Sequence, residues 1–139
     1  KRRRILCVFS ALVLLLSGCS VRRIGGEKKQ DLDYKTLDRL GIPEKLWKEV
    51  EEKKEEPFLL AYGDGEQLYI AIGYGEQESG GYSIQIEEVC ETEDAVCIRT
   101  CLTGPDEWEK VSQEPDCPYA AVATEYTEKR ILWERGSVK

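Results

Sequence analysis

From residue 58 onward the apolar residues recur at every second position, in short runs broken by Gly, Pro and Asp. That period suits strands with one buried and one wetter face and does not suit helices. The runs fall at 58–62, 67–74, 82–90, 95–102, 119–126 and 130–133. Gly63, Asp64 and Gly65 separate the first two and read as a hairpin turn, and Glu93 with Asp94 separates the third and fourth. Ile84 and Ile86 share one face of the third run, and Val96, Ile98 and Leu102 share one face of the fourth. Strands in series without intervening helices predict a mainly β fold, a small antiparallel β-sandwich or partly open barrel.

Upstream the period changes. Leu37, Leu40, Leu46, Trp47 and Val50 recur near helical spacing, and Pro43 suits a first helical turn. The pattern predicts one helix over 43–55 at the edge of the β structure, ended by Pro57. The charge run 51–56 reads as the solvated face of that helix.

The N-terminal segment has a different character. Lys1, Arg2, Arg3 and Arg4 precede an apolar stretch over 5–16 that only Ser10 interrupts, shorter than a comfortable bilayer span. This predicts a signal peptide over 1–18. It ends in Leu16-Ser17-Gly18-Cys19, which resembles the bacterial lipobox. The resemblance implies cleavage before Cys19, acylation of Cys19 and localisation at a cell membrane, lipid-anchored and facing outside the cytoplasm. Several acyl chains anchor stably where a single chain is marginal. Residues 19–33 are polar, hold a Gly pair and show no apolar period, so the lipidated Cys is expected to be followed by a flexible tether, with the folded domain over 34–135.

Composition narrows the function. The chain has 27 Asp and Glu against 20 Lys and Arg, and four of those bases belong to the leader. Such an acidic surface, with no cluster of bases and aromatics, argues against nucleic-acid binding. There is no His, which removes Ser-His-Asp and Cys-His nucleophile arrangements and the commonest zinc ligand. The carboxylates are scattered without a pair that spacing singles out, and the Gly73-Tyr74-Gly75 start of a nucleotide-loop pattern leads to no helix. The expectation is a non-catalytic protein with no metal and no cofactor.

Cys90, Cys97, Cys101 and Cys117 lack a CxxC knuckle, and an exported location permits disulfides among them. Cys90 and Cys97 flank the turn at Glu93 and Asp94 and are placed to face each other; Cys101 and Cys117 would then bridge the ends of the following loop. Four free thiols are the other reading.

The strand LYIAIGYGE (68–76), then Ser79-Gly80-Gly81-Tyr82-Ser83-Ile84, the alternation over 96–102, Gly104-Pro105 and Cys117-Pro118-Tyr119 together resemble the C-terminal domain of the PrcB family. That family is named for an accessory lipoprotein subunit of a bacterial surface protease complex. Glu78 stands where family members carry Pro. The resemblance implies a small β domain without catalysis of its own, with an exported protease or another surface protein as partner. The Ser79–Tyr82 corner also resembles, more faintly, chagasin-type cysteine-protease inhibitors, which implies an alternative role as a protease inhibitor. In either case the binding residues fall on two loops. Gly80 and Gly81 let backbone approach a partner, and Tyr82 and Trp108 offer amphipathic contact area. A plainer assignment has the glycines form a turn while Tyr82 and Trp108 fill the edge of the core.

Overall fold

The computed structural model describes residues 30–136. The expected signal peptide over 1–18, Cys19 and most of the expected tether lie outside the described residues. The elements are β1 (Gln30–Asp31), β2 (Tyr34–Leu37), a 3-10 turn (Arg39–Gly41), α1 (Glu44–Lys53), β3 (Pro57–Gly63), β4 (Gln67–Tyr74), β5 (Ser83–Glu91), β6 (Ala95–Thr103), β7 (Tyr119–Glu125) and β8 (Arg130–Arg135). Two four-stranded sheets form, in the orders β1-β5-β6-β8 and β2-β7-β4-β3, and neither closes into a barrel.

The alternating runs account for the core between the sheets. Leu68, Ile70, Ile72 and Tyr74 of β4 and Val122 of β7 meet Val89, Val96, Ile98 and Leu102 from β5 and β6. One polar group sits among them. Thr100 is fully buried, and its hydroxyl accepts from Trp133 Nε1 at 2.8 Å and pairs with the Tyr74 hydroxyl at 2.6 Å. The three side chains join both sheets, because Tyr74 belongs to one and Thr100 and Trp133 to the other.

The helix covers the outer face of the second sheet. Leu46 and Val50 are buried there against Phe58, Ala71 and Ala121. Ala71 and Ala121 are register partners, and two small side chains side by side let a helix approach the sheet closely. Gly73 contributes in the same way: a Cβ there would occupy the space filled by the ring of Phe58, its partner on β3. Pro43 is the cap of α1, and its carbonyl accepts from Trp47 N at 2.9 Å. Arg39 lies 4.3 Å over the Trp47 ring and pairs with Glu44 at 3.0 Å, fastening the start of the helix.

Two expectations change in detail. Residues 30–33, assigned to the tether, belong to the fold: Gln30 and Asp31 pair with Glu91 and Cys90, Leu32 N donates to Val89 O, and Asp33 O accepts from Thr124 Oγ1. The helix itself, Glu44–Lys53, falls within the expected 43–55, while Leu37 ends β2 and Leu40 is 92% exposed on the 3-10 turn. The sandwich is not wholly antiparallel, since β8 runs parallel to β6. The chain leaves β6, crosses to the other sheet as β7 and returns, and a return by that route brings β8 back in the direction of β6.

Candidate functional site

The connection between β4 and β5 and the long connection between β6 and β7 come together into one composite tip. Gln77 and Asp116 exchange backbone bonds, Gln77 N donating to Asp116 O at 2.7 Å and Asp116 N to Gln77 O at 3.1 Å. Further along, Gly80 N donates to Ser112 O at 2.9 Å. The side chain of Gln77 turns back to donate to the carbonyls of Tyr74 and Gly75, both at 3.3 Å. These bonds satisfy backbone groups that two separate loops would leave to water, so the tip behaves as a built surface.

Gly81 is the residue on which the loops close. Its φ is +90°, and a Cβ there would lie 2.5 Å from Val111 Cγ1 and 2.9 Å from Pro105 Cβ. Both the backbone conformation and the space therefore require glycine. Tyr82 is half-buried against the main core, and a Cβ on Gly104 would touch its ring at 3.1 Å. The structure thus brings Gly80 against Ser112, Gly81 against Val111 and Pro105, and Tyr82 against Gly104, with Tyr82 as a packing residue.

Trp108 is placed otherwise. A turn closed by Glu109 N donating to Asp106 O at 3.0 Å, with Asp106 N donating back to Glu109 Oε1 at 3.3 Å, carries it at its tip. It is 81% exposed. The indole is thus presented to solvent on a turn fixed by its own bonds. Its sequence neighbours Asp106, Glu107, Glu109 and Lys110 are all exposed, so the turn that carries the indole is mainly acidic.

The cysteines divide. Cys90 and Cys97 are both buried and are register partners across β5 and β6, facing each other as their spacing about the turn requires. The turn between them is set by Thr92, whose hydroxyl accepts from Ala95 N at 3.1 Å and donates to Asp94 at 3.1 Å. Cys101 and Cys117 are free thiols. Cys101 lies on the face of β6 that points away from the inter-sheet core. Cys117 sits in the loop just before β7, where the charges of Glu76, Lys54 and Glu55 act on it. Burial pushes the Cys117 thiol above its ordinary pKa, and the charge of Glu76 adds to the effect.

Chemically the tip offers contact area and backbone. Among the described residues, no group of three or more Cys, Asp and Glu is arranged to hold a metal ion, and no helix is long and apolar enough to cross a membrane. Sequence reasoning missed the residues that weld the loops: Val111, Ser112 and Asp116. Nothing in a polar loop's composition marks which carbonyl a distant amide will reach. It also missed Thr100, whose place in an apolar run on the inward face of β6 was a usable signal for a buried hydroxyl.

Residues 68–125 match the family model described as PrcB C-terminal. The matched segment runs from β4 to β7 and so contains the two middle strands of each sheet together with both loops of the tip. The flanking elements β1, β2, α1, β3 and β8 lie outside it. No curated protein and no solved structure matches the chain.

Proposed function

We propose, from the match of residues 68–125 to the PrcB C-terminal family model, that this chain is a non-catalytic lipoprotein acting as the accessory subunit of an extracytoplasmic protease. In this reading acyl chains on Cys19 hold it to the outer side of a cell membrane, and the composite tip docks the partner. The observation that carries the docking role is Trp108, 81% exposed on a turn held by its own hydrogen bonds within the matched segment. Exposed aromatics on rigid supports are the residues on which interface energy concentrates. The lack of His removes the usual catalytic constellations and supports an accessory role.

The same tip supports inhibition as a second reading, because a projecting indole on a narrow double loop suits an enzyme cleft. One experiment separates the two. The full chain is used to capture partners from intact cells after mild crosslinking, in parallel with Trp108→Ala. Activity of any captured protease is then assayed with and without added chain. Recovery of one exported protease by the wild type and its loss with Trp108→Ala support docking at the tip. Unchanged or raised activity then identifies an accessory subunit, and a dose-dependent fall identifies an inhibitor. Recovery of no exported protein, or equal recovery by both forms, overturns the reading. Labelled palmitate incorporated into the wild type and lost in Cys19→Ala tests the anchor separately.

A further inference from the structure

Two sheets leave four edges among the described residues, and three of them carry features that discourage further pairing. β1 has two residues, and the part of β5 beyond it carries Glu87, Glu88 and a register irregularity between Ile86 and Glu88. β2 has four residues and includes Lys35. β8 carries Arg130, Glu134 and Arg135 within six. β3 is different: its seven residues, Pro57-Phe58-Leu59-Leu60-Ala61-Tyr62-Gly63, contain no charge, and its register with β4 is unbroken.

The bonds available on that edge follow from the turn. Asp64 N donates to Gln67 O at 3.1 Å, which makes this the first hydrogen-bonded pair beyond the loop. Antiparallel ladders alternate, so the pairs Tyr62 with Tyr69, Leu60 with Ala71 and Phe58 with Gly73 hold the ladder bonds. Pro57, Leu59, Ala61 and Gly63 then direct their backbone groups outward. Pro57 fits this phase, having no N–H to give to the ladder. The strand is held from both sides, Leu59 packing into the inter-sheet core and Phe58, Leu60 and Tyr62 against α1, so the edge is a preformed template.

The charges at its ends select what can add. Glu55 and Glu56 precede the strand, with Glu76 N bonded to Glu55 O, and Asp64 and Glu66 follow it, with Glu125 opposite Gln67. Lys54 is tied to Glu51 at 3.1 Å. A second copy adding antiparallel would set Glu55 and Glu56 of each chain beside Asp64 and Glu66 of the other, like charge against like at both ends. We propose that the β3 edge is a strand-addition site for an extended, apolar segment of another polypeptide, flanked on both sides by Lys or Arg. This site lies outside the family segment and does not depend on the loop tip.

The test uses the full chain in non-ionic detergent and three synthetic peptides: a Val-Thr alternating heptapeptide flanked by two Lys at each end, the same core flanked by Glu, and the Lys-flanked peptide N-methylated at alternate residues. Binding of the Lys-flanked peptide should shift the backbone amides of Leu59, Ala61 and Gly63 in NMR spectra. It should weaken at least about tenfold in Ala61→Pro, which removes an outward N–H, and in the N-methylated peptide, which leaves the protein unaltered. Ala61→Lys, which keeps the backbone donor and adds a repelling charge, should weaken it as well. Trp108→Ala should bind as the wild type does. Equal binding of the Glu-flanked peptide, no shift at those three amides, or loss of binding in Trp108→Ala overturns the proposal. So does a concentration-dependent dimer that shifts the same amides without peptide, because the occupant is then a second copy.

Discussion

Replacing Thr100 with Val tests how the sheets are joined beneath the tip. The substitution keeps the volume and branching of the side chain, so it opens no cavity, and what it removes is one hydroxyl. That hydroxyl accepts from Trp133 Nε1 at 2.8 Å and pairs with the Tyr74 hydroxyl at 2.6 Å, and among the described residues no buried side-chain polar atom lacks a partner. In the variant both groups lose theirs. Tyr74 is 6% exposed and cannot turn to water, whereas Trp133 is half-buried and recovers part of its loss. An orphaned buried donor or acceptor costs about 1–3 kcal/mol, so the variant should lose roughly 2–3 kcal/mol in all. For a domain of this size that corresponds to a fall in Tm of about 10–20 °C. Removing the tyrosine hydroxyl as well, in Thr100→Val with Tyr74→Phe, should restore about 1 kcal/mol, since an apolar pair costs less than one unmet group. Urea unfolding of the full chain followed by Trp fluorescence measures all three. A loss under about 0.5 kcal/mol in Thr100→Val, or no recovery in the double variant, would refute the reasoning.

Gly81→Ala should cost about 1–3 kcal/mol, from a φ of +90° and overlap with Val111 and Pro105, and should raise hydrogen exchange at Gly80 N first. Trp108→Ala should change stability by less than about 0.5 kcal/mol, because the indole packs on little, and denaturant unfolding checks it. Asp64 accepts from the backbone N–H groups of Gln67 and Glu66, which holds its carboxyl below the ordinary value. Its contribution is therefore present above the unfolded-state pKa and lost as pH falls through the folded one. An NMR titration should show Asp64 ionising below its ordinary value, and Asp64→Asn should flatten the acid limb of stability against pH. Cys117, with its thiol raised by burial and by Glu76, should alkylate at pH 8 more slowly than a small model thiol, as mass spectrometry of the reduced chain would show.

The strands from β3 onward were legible because each has one face toward a core and the other toward a different environment. The helix was legible because Leu46, Trp47 and Val50 line one side of it. β1 and β2 were not, since Gln30–Asp31 and Tyr34–Leu37 are exposed edge strands whose pairing is written in the backbone. Leu40 and Leu37 fell into helical phase with the true helix although neither belongs to it. The parallel placement of β8 depends on where the chain crosses between sheets, which no local period records.

At the tip, Gly80, Gly81, Gly104 and Pro105 could be grouped from the resemblance. The division between a packed Tyr82 and a projecting Trp108 could not, because both are aromatics beside glycine-containing turns. The facing of Cys90 and Cys97 followed from a two-residue turn.

Docking at the tip is read directly by site-specific photocrosslinking in living cells, with a photoreactive amino acid in place of Trp108 and, in a matched strain, in place of Glu93 on the turn between β5 and β6. An adduct with one exported protease at position 108 and not at position 93 is the predicted result. A tip that captures no protein, or captures the same proteins as position 93, would contradict it.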